Sequence, residues 1–171
     1  MAILKAALEL TAELGYAGLT IDGIAARSGT GKQTIYRWWP SKADVLLEAA
    51  AIKADLFVPI PDEGDLAEDL RGFLGASFAL GSRKPLADAL RALMAQAQID
   101  EEFRQRFWTA FLRRRREALR TILDRWDLPT SVETATDVVF GVIWYRLLTD
   151  RPLDDQLADE LVALLSGRTS A

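Results

Sequence analysis

Between Thr20 and Lys42 the chain crowds together side chains that donate hydrogen bonds or carry positive charge. Hydroxyls, an indole N–H and an ammonium are suited to anionic oxygen, which makes Thr20, Thr34, Tyr36, Trp38 and Lys42 candidates for phosphate contact. Lys32 and Arg37 match the acceptor edge of guanine, and Gln33 matches adenine. Bond-making chemistry lacks its usual parts. The 171 residues contain no histidine and no cysteine, which removes the commonest general base, thiolate nucleophiles and the usual zinc or haem ligands. Carboxylate pairs such as Asp154 and Asp155 stand at a helix start, where capping explains them. The expectation is recognition without catalysis, metal or cofactor.

The net charge of −4 hides an uneven distribution. From Thr20 to Lys42 four cations, Arg27, Lys32, Arg37 and Lys42, face Asp22 alone. The basic character is local, as a nucleic-acid footprint on an acidic body would be. Half the residues are hydrophobic, enough for a sizeable core. No apolar run reaches bilayer length and no signal-type segment opens the chain, which reads as cytoplasmic with no membrane partner.

The donors need a rigid mount. Thr20 stands where an N-cap belongs, and Ile21, Ile24 and Ala25 recur with helical spacing behind it. Gly29 and Gly31 bracket Thr30 in a turn, since glycine tolerates the positive φ that ends a helix sharply. A second run, Lys32 to Trp39, places Ile35 and Trp39 on one side and leaves the polar set on the other, and Pro40 stops it. This is a helix-turn-helix pattern, whose second helix enters a DNA major groove.

These residues resemble the TetR family of transcriptional regulators, whose DNA-binding segment often reads T-[VI]-x-x-I-A-x-x-[AS]-G-V-S-x-x-T-[IL]-Y-x-x-[FW]-x-x-K. The chain matches at Thr20, Ile24, Ala25, Ser28, Gly29, Thr34, Ile35, Tyr36, Trp39 and Lys42. It departs at Thr30, where the family has valine, and at Gly31, where it has a serine that caps the recognition helix. Lys42 matches the family's phosphate-binding lysine. The resemblance implies a homodimeric regulator, most often a repressor, on a palindromic double-stranded DNA operator and released by a small-molecule effector. It also implies a few further residues ahead of the first helix. The rival readings are a carrier or enzyme with an incidental helical corner, and a DNA-binding dimer with a filled core and no effector.

The rest of the chain supports an all-α fold. Ile3 to Leu14 reads as a bracing helix ended by Gly15, and Ser41 opens a fourth helix. Pro59, Pro61 and Gly64 mark a linker, so the division falls at residue 58: a head over residues 1–57 and a ligand-binding and dimerisation body over residues 58–171. Five further helices are expected: Leu66–Leu80, Pro85–Gln98, Glu101–Trp126, Val132–Thr149 and Asp155–Leu165. Arg113 to Arg116 fan around their helix, so they form no single phosphate stripe and are expected to pair with carboxylates or lie in solvent. Val138 to Tyr145 is apolar on every side, which one chain hides most easily by burying one face against a second copy. The dimer candidates are Val138, Gly141, Val142, Tyr145, Leu157, Leu161 and Leu164, on the two helices through which the family dimerises. The family's body encloses a ligand cavity, for which Met94, Gln96, Gln98, Trp108, Phe111 and Trp144 supply an apolar wall with polar anchors.

Overall fold

The structure is a computed structural model that describes residues 1–167. Among these residues every regular element is helical: α1 (Ala2–Gly18), α2 (Ile21–Ser28), α3 (Lys32–Trp38), α4 (Lys42–Phe57), α5 (Leu66–Ser82), α6 (Leu86–Ile99), α7 (Glu101–Phe107), α8 (Arg113–Leu123), α9 (Val132–Leu148) and α10 (Asp155–Leu165). A π-helical turn, Trp108–Leu112, lies between α7 and α8. The single helix expected from Glu101 to Trp126 is therefore three segments, the last ending at Leu123. The reason is visible in the side chains. Phe103, Phe107 and Phe111 recur every four residues, and their rings stack at 6.2 and 5.8 Å between centroids. Four steps of an α-helix overshoot a full turn by about 40°. The wider i→i+5 turn inserted in the run drifts the other way and offsets that overshoot.

The chain packs as two compact units that interleave along the sequence. The first comprises Met1–Lys53 and Arg83–Leu112. Its core takes Leu4, Ala7 and Leu8 from α1, Ile24 from α2, Ile35 from α3, Val45 and Leu46 from α4, and Leu90 and Leu93 from α6. Gly15, at φ 68° and ψ 173°, breaks the helical path of α1 and lets its last residues turn before α2. Leu14, directly before that break, is 58% exposed.

The second unit comprises Ala54–Ser82 and Arg113–Ala171. Phe73, Leu74 and Phe78 of α5 meet Leu119, Ile122 and Leu123 of α8, Val139 of α9, and Leu157, Leu161 and Leu165 of α10 in one apolar cluster. The proline-marked stretch after α4 is tied into this unit. Val58 is buried, Pro61 approaches Gly72, and the Glu63 amide donates to the buried carboxylate of Asp69 at 2.8 Å. Arg125 closes the tie by donating to the Pro61 carbonyl at 2.6 Å.

Candidate nucleic-acid interface

The corner forms as its residue types dictate. The Thr20 hydroxyl accepts from the Gly23 amide at 3.0 Å, satisfying one of the unpaired donors of the first turn of α2. Gly29 ends α2 in the left-handed region at φ 68° and ψ 24°, where a side chain would be strained. Gly31 then opens α3 with no side-chain cap. Trp39 is extended, as a residue before proline should be, and Pro40 prevents further helix.

Helix α3 has seven residues, of which only Ile35 is buried and the other six face outward. Lys32, Gln33, Thr34 and Arg37 are exposed, and Tyr36 and Trp38 are 56% and 69% exposed. Two large aromatic rings left in solvent beside basic groups signal a partner surface. Lys32 lies 2.5 Å from Asp22, but both groups are more than half exposed, and such a pair holds about 1 kcal/mol or less. Arg27 is committed elsewhere: it grips Glu13 of α1 through two parallel bonds of 2.9 and 2.7 Å and holds that carboxyl below its usual range. Trp39 donates its indole N–H to Glu48 at 2.8 Å, tying the end of α3 to α4.

Lys42 is more occupied than its sequence position suggests. Its ammonium donates to the carbonyls of Tyr16 and Leu19 at 2.9 and 2.8 Å and lies 4.4 Å from the centre of the Tyr16 ring. Burial, and then the charge of Asp44, push the Tyr16 phenol above its usual range. Asp44 is the group that sequence reading missed. It is 7% exposed and accepts from the Ser41 hydroxyl at 2.6 Å and from Arg106 Nε of α7 at 2.7 Å. Ser41 and Asp44 show the capping-box spacing, but nothing in the local pattern points to an arginine sixty-two residues away.

The other expected residues fall as follows. Met94, Gln96, Gln98, Trp108 and Phe111 belong to the first unit and Trp144 to the second. Gln98 and Trp108 are exposed, Met94, Gln96 and Trp144 are half-buried, and Phe111 is buried. Gln96 meets the Tyr16 hydroxyl at 3.5 Å and donates to Asp100 at 3.3 Å, so its amide serves the frame of the first unit. Of the dimer candidates, Gly141, Tyr145 and Leu164 are exposed, and Val138 and Val142 are half-buried. Leu157 and Leu161, each 4% exposed, are corrected here: the core of their own chain takes them, because α10 packs that face on α5. Of the four arginines, Arg113, Arg114 and Arg116 pair with carboxylates, as expected, and Arg115 goes inward. Among the described residues no His, Cys, Asp or Glu group is arranged to hold a metal ion, and no helix is long and apolar enough to cross a membrane.

A helix-turn-helix presenting a bare basic and aromatic helix, on an otherwise helical chain, defines a DNA-binding transcriptional regulator. Comparison with known proteins narrows this. The family model for bacterial regulatory proteins of the tetR family matches residues 3–49, and that for the tetracyclin repressor-like C-terminal domain matches residues 60–165. The uncharacterized HTH-type transcriptional regulator YdeS of Bacillus subtilis is 31% identical over 169 residues, covering 94% of this chain and 84% of its own length. The DNA-binding transcriptional repressor TetR of Mycobacteroides abscessus is 27% identical over 94% of this chain and 88% of its own. Among solved structures, the TetR family transcription regulator SCO0332 superposes with a TM-score of 0.83 at 29% identity, covering 99% of this chain and 97% of its own. The regulator FadR of Bacillus subtilis, solved with stearoyl-CoA, shares the fold at a TM-score of 0.75 and 24% identity over 99% of each chain. The chain belongs to the TetR family of transcriptional regulators.

Proposed function

We propose that this chain is a cytoplasmic repressor that binds a palindromic operator as a homodimer and is released by a small-molecule effector. The observation that carries the reading is α3, whose exposed side chains are all polar, basic or aromatic. Each α3 enters a major groove, the two heads standing about 34 Å apart on successive turns. Lys32, Gln33 and Arg37 read base edges, while Thr20, Thr34, Tyr36, Trp38 and Lys42 hold phosphate. Residues 1–57 act as the head and residues 58–171 as the regulatory body.

Control needs no covalent step. An effector that prefers a body shape with the heads wrongly spaced weakens operator binding by that same coupling energy. A neighbour of the same fold carries a long-chain acyl-CoA, which supports a body able to hold an apolar molecule with an anionic head. Met94, Gln96, Gln98, Trp108, Phe111 and Trp144 remain the candidates for contact with the effector.

The test is a salt titration of a specific operator complex. If each head neutralises about three phosphates, the dimer loses about three orders of magnitude in affinity between about 50 and about 200 mM salt. A flat titration, or no selective binding to any duplex, refutes the reading.

A further inference from the structure

Helix α8 opens on four consecutive arginines. Arg113 pairs with Glu117 at 3.6 Å, Arg114 with Asp55, and Arg116 with Glu133 and Asp137 at 2.5 and 2.7 Å. Arg115 differs from all three. It is 7% exposed, its guanidinium carbon lies 5.4 Å from the centre of the Phe73 ring, and its Nη2 is buried with no hydrogen-bond partner among the described residues. Asp55, the carboxylate whose charge favours it, is already bonded to Arg114. Burial lowers the Arg115 pKa, yet a guanidinium keeps its proton.

The position makes this costly. Phe103, Phe107, Phe111, Leu119 and Leu123 are all buried at four-residue steps, and Arg115 fills the remaining step in that run. A methionine or leucine there would extend the apolar repeat and leave no donor unmet, whereas a buried guanidinium nitrogen with no acceptor carries a desolvation cost. The face of the Phe73 ring lies against it, and Phe73 itself belongs to the apolar cluster of this unit.

We propose that Arg115 is the anion anchor of the effector site, and that the effector is an acid on an apolar frame. The guanidinium takes carboxylate or phosphate oxygens through its planar fork, while Phe73 and its aliphatic neighbours hold the frame. The proposal rests on the reading of the chain as a ligand-responsive regulator. It also gives the response a source: the unliganded body carries an unmet charge that an acid relieves and a neutral analogue does not.

The experiment follows thermal melting of the full chain with decanoate, decanoyl-CoA and decanol, for the wild type and for Arg115→Met and Arg115→Lys. The wild type is stabilised by at least one of the two acids at concentrations tenfold or more below those at which decanol acts. Response to decanoate alone assigns a carboxylate; response to decanoyl-CoA alone assigns the phosphates of a carrier. Arg115→Met melts higher than the wild type when unliganded and treats acid and alcohol alike, and Arg115→Lys keeps a weakened preference for acid. The proposal is overturned by equal response to acid and alcohol, or by no response to either acid. An Arg115→Met protein that melts lower also overturns it, by showing that the cation supports the fold. Melting needs no DNA, so operator binding by the unliganded wild type judges the regulator reading separately.

Discussion

Lys42 has two demands on one ammonium. Two of its three N–H groups go to the carbonyls that end α1, which leaves one for the proposed phosphate contact. Lys42→Ala is therefore expected to weaken binding to every duplex by a similar factor and also to lower stability by about 1–2 kcal/mol. Gln33→Ala, on an exposed side chain, changes which sequences are preferred and leaves stability within about 0.5 kcal/mol. Paired titrations against operator and scrambled duplex, with a melting curve for each variant, check both. A changed sequence preference for Lys42→Ala means the roles are misassigned. Gly31 offers a second test. Its φ of −69° suits any residue, and a Cβ there meets only the Thr34 hydroxyl at 4.0 Å, so serine fits without strain. Gly31→Ser should cap α3 and raise stability by a few tenths of a kcal/mol in a denaturant titration. At this scale the sequence was readable where function is local: the Thr20 cap, the Gly29 turn and the exposed donors of α3 all follow from spacing. Which of four adjacent arginines turns inward was a fainter trace. The signal lay in the four-residue run of phenylalanines and leucines on either side, since that repeat lands on Arg115.

Among the elements, α7 is tied to the start of α4 by Arg106 Nε on the buried Asp44 carboxylate at 2.7 Å. Removing one member of such a pair leaves the other charge desolvated, so the cost exceeds what an exposed pair would show. Arg106→Ala should destabilise the protein by about 1–3 kcal/mol. Asp44→Asn in the same chain should recover part of that loss, because a neutral amide tolerates burial better than an unpaired carboxylate. A double-mutant cycle in urea measures the coupling, and a value near zero would mean that Ser41 alone satisfies Asp44. Helix positions were legible in the sequence, with α5, α6, α9 and α10 falling within two residues of expectation at each end. The π-turn was not legible, because an apolar repeat of four reads as ordinary helix until its drift is counted. Nor was the Asp44 partner, since a contact across sixty-two residues leaves no periodic trace.

At the scale of the whole molecule, the proposed homodimer needs an apolar surface left open by the single chain. In a single chain Tyr145 and Leu148 of α9 are 59% and 55% exposed, and Leu164 of α10 is 61% exposed. Gly141 precedes Tyr145 by one turn, and a Cβ placed on it would meet open space, so a partner helix can approach closely there. Leu157 and Leu161 are unsuited to any test of association, because charge at either would disrupt the chain's own core before it touched a neighbour. The informative variant is Tyr145→Glu with Leu164→Glu. Both side chains are exposed in the lone chain, so folding should survive, with a melting temperature within a few degrees of the monomer's own. In a symmetric dimer each new carboxylate is set into a surface that meets its own copy, so like charges are desolvated twice over. A stable interface hides about 800 Å² on each partner, mostly apolar at its centre, and two buried charges of one sign are enough to open it. Light scattering on the purified double variant should report a folded monomer, and operator binding should fall steeply because one head holds only one half-site. A folded dimer that still binds operator would move the interface off α9 and α10 altogether.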